Sequence, residues 1–211
     1  MTNKDTIRIK DSVTIMAESN YLFYSNREKV SILLNKKLLN KDDIIDIFIG
    51  LHIVLELGIN NVFRKIISSD FKKDIDTHIM INNLDNINFI DKTIMFIYYS
   101  KFKFTDISEA TRYHSIINKI KSFSEMRNKL LHGYSISEIS GENGIFKSKL
   151  KKDLNLIKLK QQLEDFKFIL DGLCYYLDCV ESSWTTNGKN LLKETYLNHN
   201  FIPETIGDLE E

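Results

Sequence analysis

Proline is almost missing from this 211-residue chain, which carries one, and glycine is sparse at eight. Sandwiches, propellers and glycine-rich scaffolds turn too often to be built from so few turn residues, so the composition points to long helices. Cysteine is scarce as well. Cys174 and Cys179 cannot form a disulfide framework, and a reducing, cytoplasmic setting is expected. Neither sign of charge is in excess, because 29 basic residues balance 29 acidic ones. That excludes long-range, whole-surface attraction to a phosphate polymer. Long apolar runs are lacking too. The most apolar stretch, residues 44–57, is interrupted by Asp46, His52 and Glu56 and is too short to span a bilayer. Residues 1–10 hold no apolar run of signal-peptide length, so no membrane association is expected.

What the chain does have is helical periodicity in an apolar content of 43%, enough for a packed core. Helices are expected over residues 12–39, 41–67, 87–101, 105–132 and 152–181. The second has Asn40 as its N-cap, with Asp42 and Asp43 in the first turn where negative charge meets the helix dipole. The last carries the strongest pattern. Leu156, Leu159, Leu163, Phe166, Leu170, Leu173, Leu177 and Val180 follow one another in steps of three and four, a seam for a bundle core or for a partner helix. Gly141 and the Asn143-Gly144 pair make residues 135–151 a turn-rich loop with room for a small hairpin. The expected fold class is all-α, an antiparallel bundle of four to five helices over residues 1–181. Residues 182–211 are expected to be a polar arm ending in a flexible or lightly docked acidic tail.

The chemistry concentrates near the end of the fourth helix. Ile116, Ile120, Phe123, Arg127 and Leu130 share one stripe, so Arg127 occupies a place the pattern reserves for an apolar side chain. A guanidinium there must be paired, reach outward, or face a cleft or a second chain, because burying it alone costs several kcal/mol. Asn128 and His132 lie four apart on one flank, about 100–140° around the helix from Arg127. One helix end thus offers a phosphate-binding cation, a group that titrates near neutrality, and an amide. The plain structural reading is that Arg127 pairs with a carboxylate and His132 faces the dipole as a C-terminal cation.

Arg127-Asn128-Lys129-Leu130-Leu131-His132 resembles the R-N-x3-H form of the Rx4–6H motif of HEPN domains, closing a late helix of an all-α bundle and followed by Gly133. These six residues are the specific part of a resemblance that extends over residues 12–181. It implies a HEPN-like homodimer in which the motifs of two protomers form a composite, metal-independent ribonuclease site that needs no cofactor. Arg127 would bind the scissile phosphate, Asn128 would orient the motif, and His132 would transfer protons. Tyr134 extends the motif to Rx4HxY, which is similar to HEPN toxins silenced by a minimal nucleotidyltransferase antitoxin that modifies this tyrosine; the plain reading is a Tyr packed after a helix end. The resemblance implies an RNA-cleaving toxin of a toxin–antitoxin or abortive-infection (phage defence) system. The alternative is a non-catalytic HEPN module that binds nucleotide, RNA or a partner protein.

Three further features carry expectations. On the second helix His52 and Glu56 are polar residues four apart within the stripe Ile45, Ile49, Ile59, Phe63. They are either a hydrogen-bonded core pair, or Glu56 lies beside the site and pairs with Arg127; an acidic residue on this helix is also a HEPN feature. No second pair of ligands accompanies them, so no metal is expected. Between Lys147 and Lys167, seven lysines face Asp153, Glu164 and Asp165, an excess of four basic residues. Lys149, Lys151 and Lys152 are either part of a solvated face or contacts to an RNA backbone.

Overall fold

A computed structural model describes residues 12–70, 81, 83–100, 106–132, 137–140, 145–148, 154–181 and 185–209. Six helices occur among them: α1 (Ser12–Leu34), α2 (Lys41–Asp70), α3 (Phe89–Tyr99), α4 (Ile107–His132), α5 (Leu156–Cys179) and α6 (Thr186–Leu192). Among the described residues strand is confined to two small pairs, β1 (Leu38–Leu39) with β4 (Asp208–Leu209), and β2 (Ser137–Ser140) with β3 (Ile145–Ser148). The protein is all-α in character. No described helix is long and apolar enough to cross a membrane.

Asparagine, a mediocre helix former, is put to use at the helix starts. Asn40 Oδ1 accepts the Asp43 N–H at 2.8 Å while Asp43 Oδ2 accepts the Asn40 N–H at 3.1 Å, a reciprocal cap that starts α2. Asn88 accepts from the Asp91 N–H at 3.0 Å to start α3, and Asn155 from the Lys158 N–H at 2.8 Å to start α5. These caps place α3 and α5 a few residues later than periodicity alone suggests, since an N-cap residue is not itself helical.

α1 and α2 form an antiparallel hairpin. Ser19 meets Asn61 at 2.6 Å near one end, Lys29 meets Asp46 at 2.7 Å, and Lys36 meets Asp43 at 2.7 Å near the other. α4 and α5 are antiparallel as well, with Glu109 held by the Tyr175 hydroxyl at 3.1 Å and Phe123 against Phe166. They approach closely where Gly172 leaves space for Ile116, whose side chain a methyl group there would displace. α3 instead runs alongside α2 in the same direction, His52 facing Phe89 and Phe63 facing Phe96. One core joins all five. The α5 seam belongs to that core: seven of its eight residues are buried and Leu156 is half-buried, so it is no surface for a second chain.

Two expectations change. α1 stops at Leu34 rather than running to residue 39, because Leu38 and Leu39 pair in parallel with Asp208 and Leu209 and bury Leu39. The C-terminal arm, expected to be polar and outside the bundle, is built into it. α6 and the π-turn Lys193–Leu197 bring Leu192, Tyr196 and Leu197 into the core, followed by Ile202. Arg27 on α1 holds the arm through the Thr195 carbonyl at 3.3 Å and Asn198 Oδ1 at 2.6 Å. Gly207 sits against the backbone of Lys36 and Lys37, where any side chain would meet their carbonyl oxygens. The polar composition after residue 182 hides this, because a few well-spaced apolar side chains suffice to dock a strap.

Candidate functional site

The stripe on α4 runs as its spacing implies until its fourth member. Ile116, Ile120 and Phe123 are buried, and then Arg127 emerges half-buried. It opens onto a cleft of about 490 Å³ lined by His52 and Glu56 of α2, by Ser124, Arg127 and Asn128 of α4, and by the segment leading into α3. Ser124, Arg127 and Asn128 share one face because they lie at i, i+3 and i+4. Arg127 Nη1 donates to Asn128 Oδ1 at 3.0 Å, a neutral partner that orients the guanidinium without neutralising it.

His52 forms the inner wall and is 3% exposed. Its Nε2 lies 3.4 Å from Ser124 Oγ, and its Nδ1 lies 3.9 Å from Glu56 Oε2, beyond hydrogen-bond reach. Nδ1 is buried and has no hydrogen-bond partner among the described residues. Burial pushes the His52 pKa down to about 4, with Arg127 and Lys92 lowering it further against the opposing pull of Glu56. The ring is therefore neutral near pH 7.

Glu56 lies beside the cleft that Arg127 lines, with Oε2 3.9 Å from His52 Nδ1, but its short contact is with a third residue. Its Oε1 accepts from Lys92 Nζ of α3 at 3.1 Å, and Lys92 is 1% exposed. Sequence reasoning passed over Lys92, although the signal was there. Lys92 falls between Phe89 and Phe96 on the buried face of α3, the same misplaced-cation pattern that drew attention to Arg127 on α4.

The remaining sequence candidates are placed unevenly. His132 is the last residue of α4, five beyond Arg127, and its side chain lies outside the described residues. Tyr134, Lys149, Lys151 and Lys152 also lie outside them. Among the described residues no group of three or more His, Cys, Asp or Glu is placed to hold a metal ion. Burial pushes the Cys174 thiol up to about 11 and raises Cys179, so neither is an activated thiolate.

Compared with models of known families, with curated proteins and with solved structures, the chain has no significant match. The site must therefore be read from its own chemistry. It presents a forked cation in a recess, a neutral imidazole and a hydroxyl beside it, and a carboxylate already compensated by a buried ammonium. Such a set can take an oxyanion at Arg127, with uncharged hydrogen-bonding groups beside it from His52 of α2 and Ser124 of α4.

Proposed function

We propose that this protein is a HEPN-like, metal-independent endoribonuclease that works as a homodimer, serving as the toxin of a toxin–antitoxin or abortive-infection system. The observation that carries the reading is the Arg127 guanidinium, which lines a cleft and donates to an amide rather than to a carboxylate, in the motif whose spacing the sequence singled out. A cation left in that condition on an otherwise apolar stripe calls for an anion from outside. A second protomer bringing its own Arg127 and His132 would complete the site.

In this mechanism the 2′-hydroxyl of RNA attacks its neighbouring phosphorus, the P–O5′ bond breaks, and a 2′,3′-cyclic phosphate is left. His132 of one protomer accepts the 2′-hydroxyl proton and the equivalent imidazole delivers one to the departing O5′, a contribution of about 10²–10⁴-fold. Arg127 stabilises charge on the phosphorane, worth about 10²–10³-fold for one well-placed donor. The test is RNA cleavage in EDTA by the wild type, Arg127→Ala and His132→Ala. Both variants should lose at least about 100-fold. Equal cleavage by all three preparations overturns the assignment, and binding without cleavage by the wild type would identify a non-catalytic module instead.

A further inference from the structure

Two cations of this site stand in apolar helix stripes, and they are used differently. Lys92 is buried, is not among the residues lining the cleft, and spends its ammonium on Glu56 Oε1 at 3.1 Å. Arg127 lines the cleft and donates to the neutral Asn128 amide. Glu56 faces both worlds: one oxygen is held by Lys92, while the side chain lines the same cleft as Arg127 and remains part-exposed. Glu56 and Arg127 also share that cleft with the buried His52 ring, whose Nδ1 lies 3.9 Å from Glu56 Oε2.

A carboxylate and a guanidinium sharing a partly buried cleft pair readily, in a two-pronged geometry that few other side chains can match. Arg127 paired in that way would be closed to any external anion. Burying the Lys92 ammonium is also costly, and an apolar residue at that place in α3 would serve packing at least as well. The charge of Lys92 is explained by what it does to Glu56.

We propose that Lys92 is a lock that holds the Glu56 carboxylate and thereby reserves the Arg127 guanidinium for an external tetrahedral oxyanion. The anion is a backbone phosphodiester if the ribonuclease reading is right, and the lock's role in catalysis rests on that reading. Lys92 touches no ligand; it is a positioning residue acting through Glu56. Without it, Glu56 turns to the guanidinium that shares its cleft, and Arg127 is consumed. Removing the carboxylate as well releases Arg127 again, a rescue that a merely structural role for Lys92 does not produce.

The test compares wild type, Arg127→Ala, Lys92→Met and the double variant Lys92→Met/Glu56→Gln, each checked for helicity and cooperative melting. Sulfate is titrated by calorimetry, and a 2′-O-methyl oligoribonucleotide, which has phosphodiesters but no attacking hydroxyl, by fluorescence anisotropy. Sulfate affinity should fall at least about tenfold in Arg127→Ala and in Lys92→Met, and should return to within about threefold of wild type in the double variant, as expected for a charge-assisted fork lost and regained. Lys92→Leu, which likewise offers Glu56 neither charge nor donor, repeats the comparison should Lys92→Met fail to fold. A wild type that binds no sulfate, a Lys92→Met protein that binds it normally, or a double variant as weak as the single one overturns the lock. Sulfate following the expected pattern while the oligonucleotide fails to bind keeps the lock and removes the RNA reading. An oligonucleotide bound normally by Lys92→Met overturns the lock and leaves the RNA reading standing.

Discussion

His52 carries a titration that links the site to stability. Its pKa is near 4 in the folded protein and near 6.5 when the chain is unfolded, because burial among Lys92 and Arg127 penalises the imidazolium more than Glu56 favours it. Between those two values the unfolded chain binds the proton and the folded one does not, so stability rises with pH across that window. It is fully present above about pH 6.5 and is lost progressively as the pH falls towards 4, by about 3 kcal/mol in all. Thermal melting should therefore show a steeper loss below pH 6.5 in the wild type than in His52→Gln, and parallel profiles would refute the assignment. At this scale the sequence was informative wherever a charged residue broke an apolar stripe. Arg127 stood out in that way, and Lys92 could have. Which carboxylate Lys92 takes was not legible, because partners 36 residues apart, Glu56 and Lys92, meet only after α3 is laid beside α2.

Periodicity located the five longer helices because it is local, while their ends shifted by up to five residues and the short α6 went unread. The α5 seam left its destination open, since core and partner-facing stripes look alike along one chain. The bundle places it inside, and the consequence is measurable. Leu170 is 1% exposed while Ile157 is 83% exposed. Leu170→Ala should cost about 2–5 kcal/mol in urea unfolding, and Ile157→Ala less than about 0.5 kcal/mol. Similar costs for the two would place the seam wrongly. The short strand pair β1–β4 had no sequence signal at all. Two-residue strands show no alternation to read, and their partners are separated by 170 positions along the chain.

For the molecule as a whole, the strap formed by α6 and residues 193–209 decides where the folding unit ends. Composition suggested a bundle complete at residue 181, yet Leu192, Tyr196, Leu197 and Ile202 are buried in the same core as the helices. Burying four such side chains contributes about 1.5–3 kcal/mol each, together comparable to the whole stability of an ordinary domain, about 5–15 kcal/mol. A chain truncated after Glu181 should lose cooperative thermal unfolding by circular dichroism and expose apolar surface to a hydrophobic dye. A truncated chain that melts as sharply as the full one would restore the two-part organisation.

The amino-acid sequence by itself determined the helical class, the places of the five longer helices and the unusual cation on α4, because turn content, 3.6-residue periodicity and capping are properties of neighbours along the chain. Only the tertiary structure decided that α3 lies parallel to α2, that the arm closes the core, and that Lys92 rather than Arg127 answers Glu56. Those outcomes depend on which surfaces meet across long separations, where burial strengthens each charge pairing and packing selects which pairs can form.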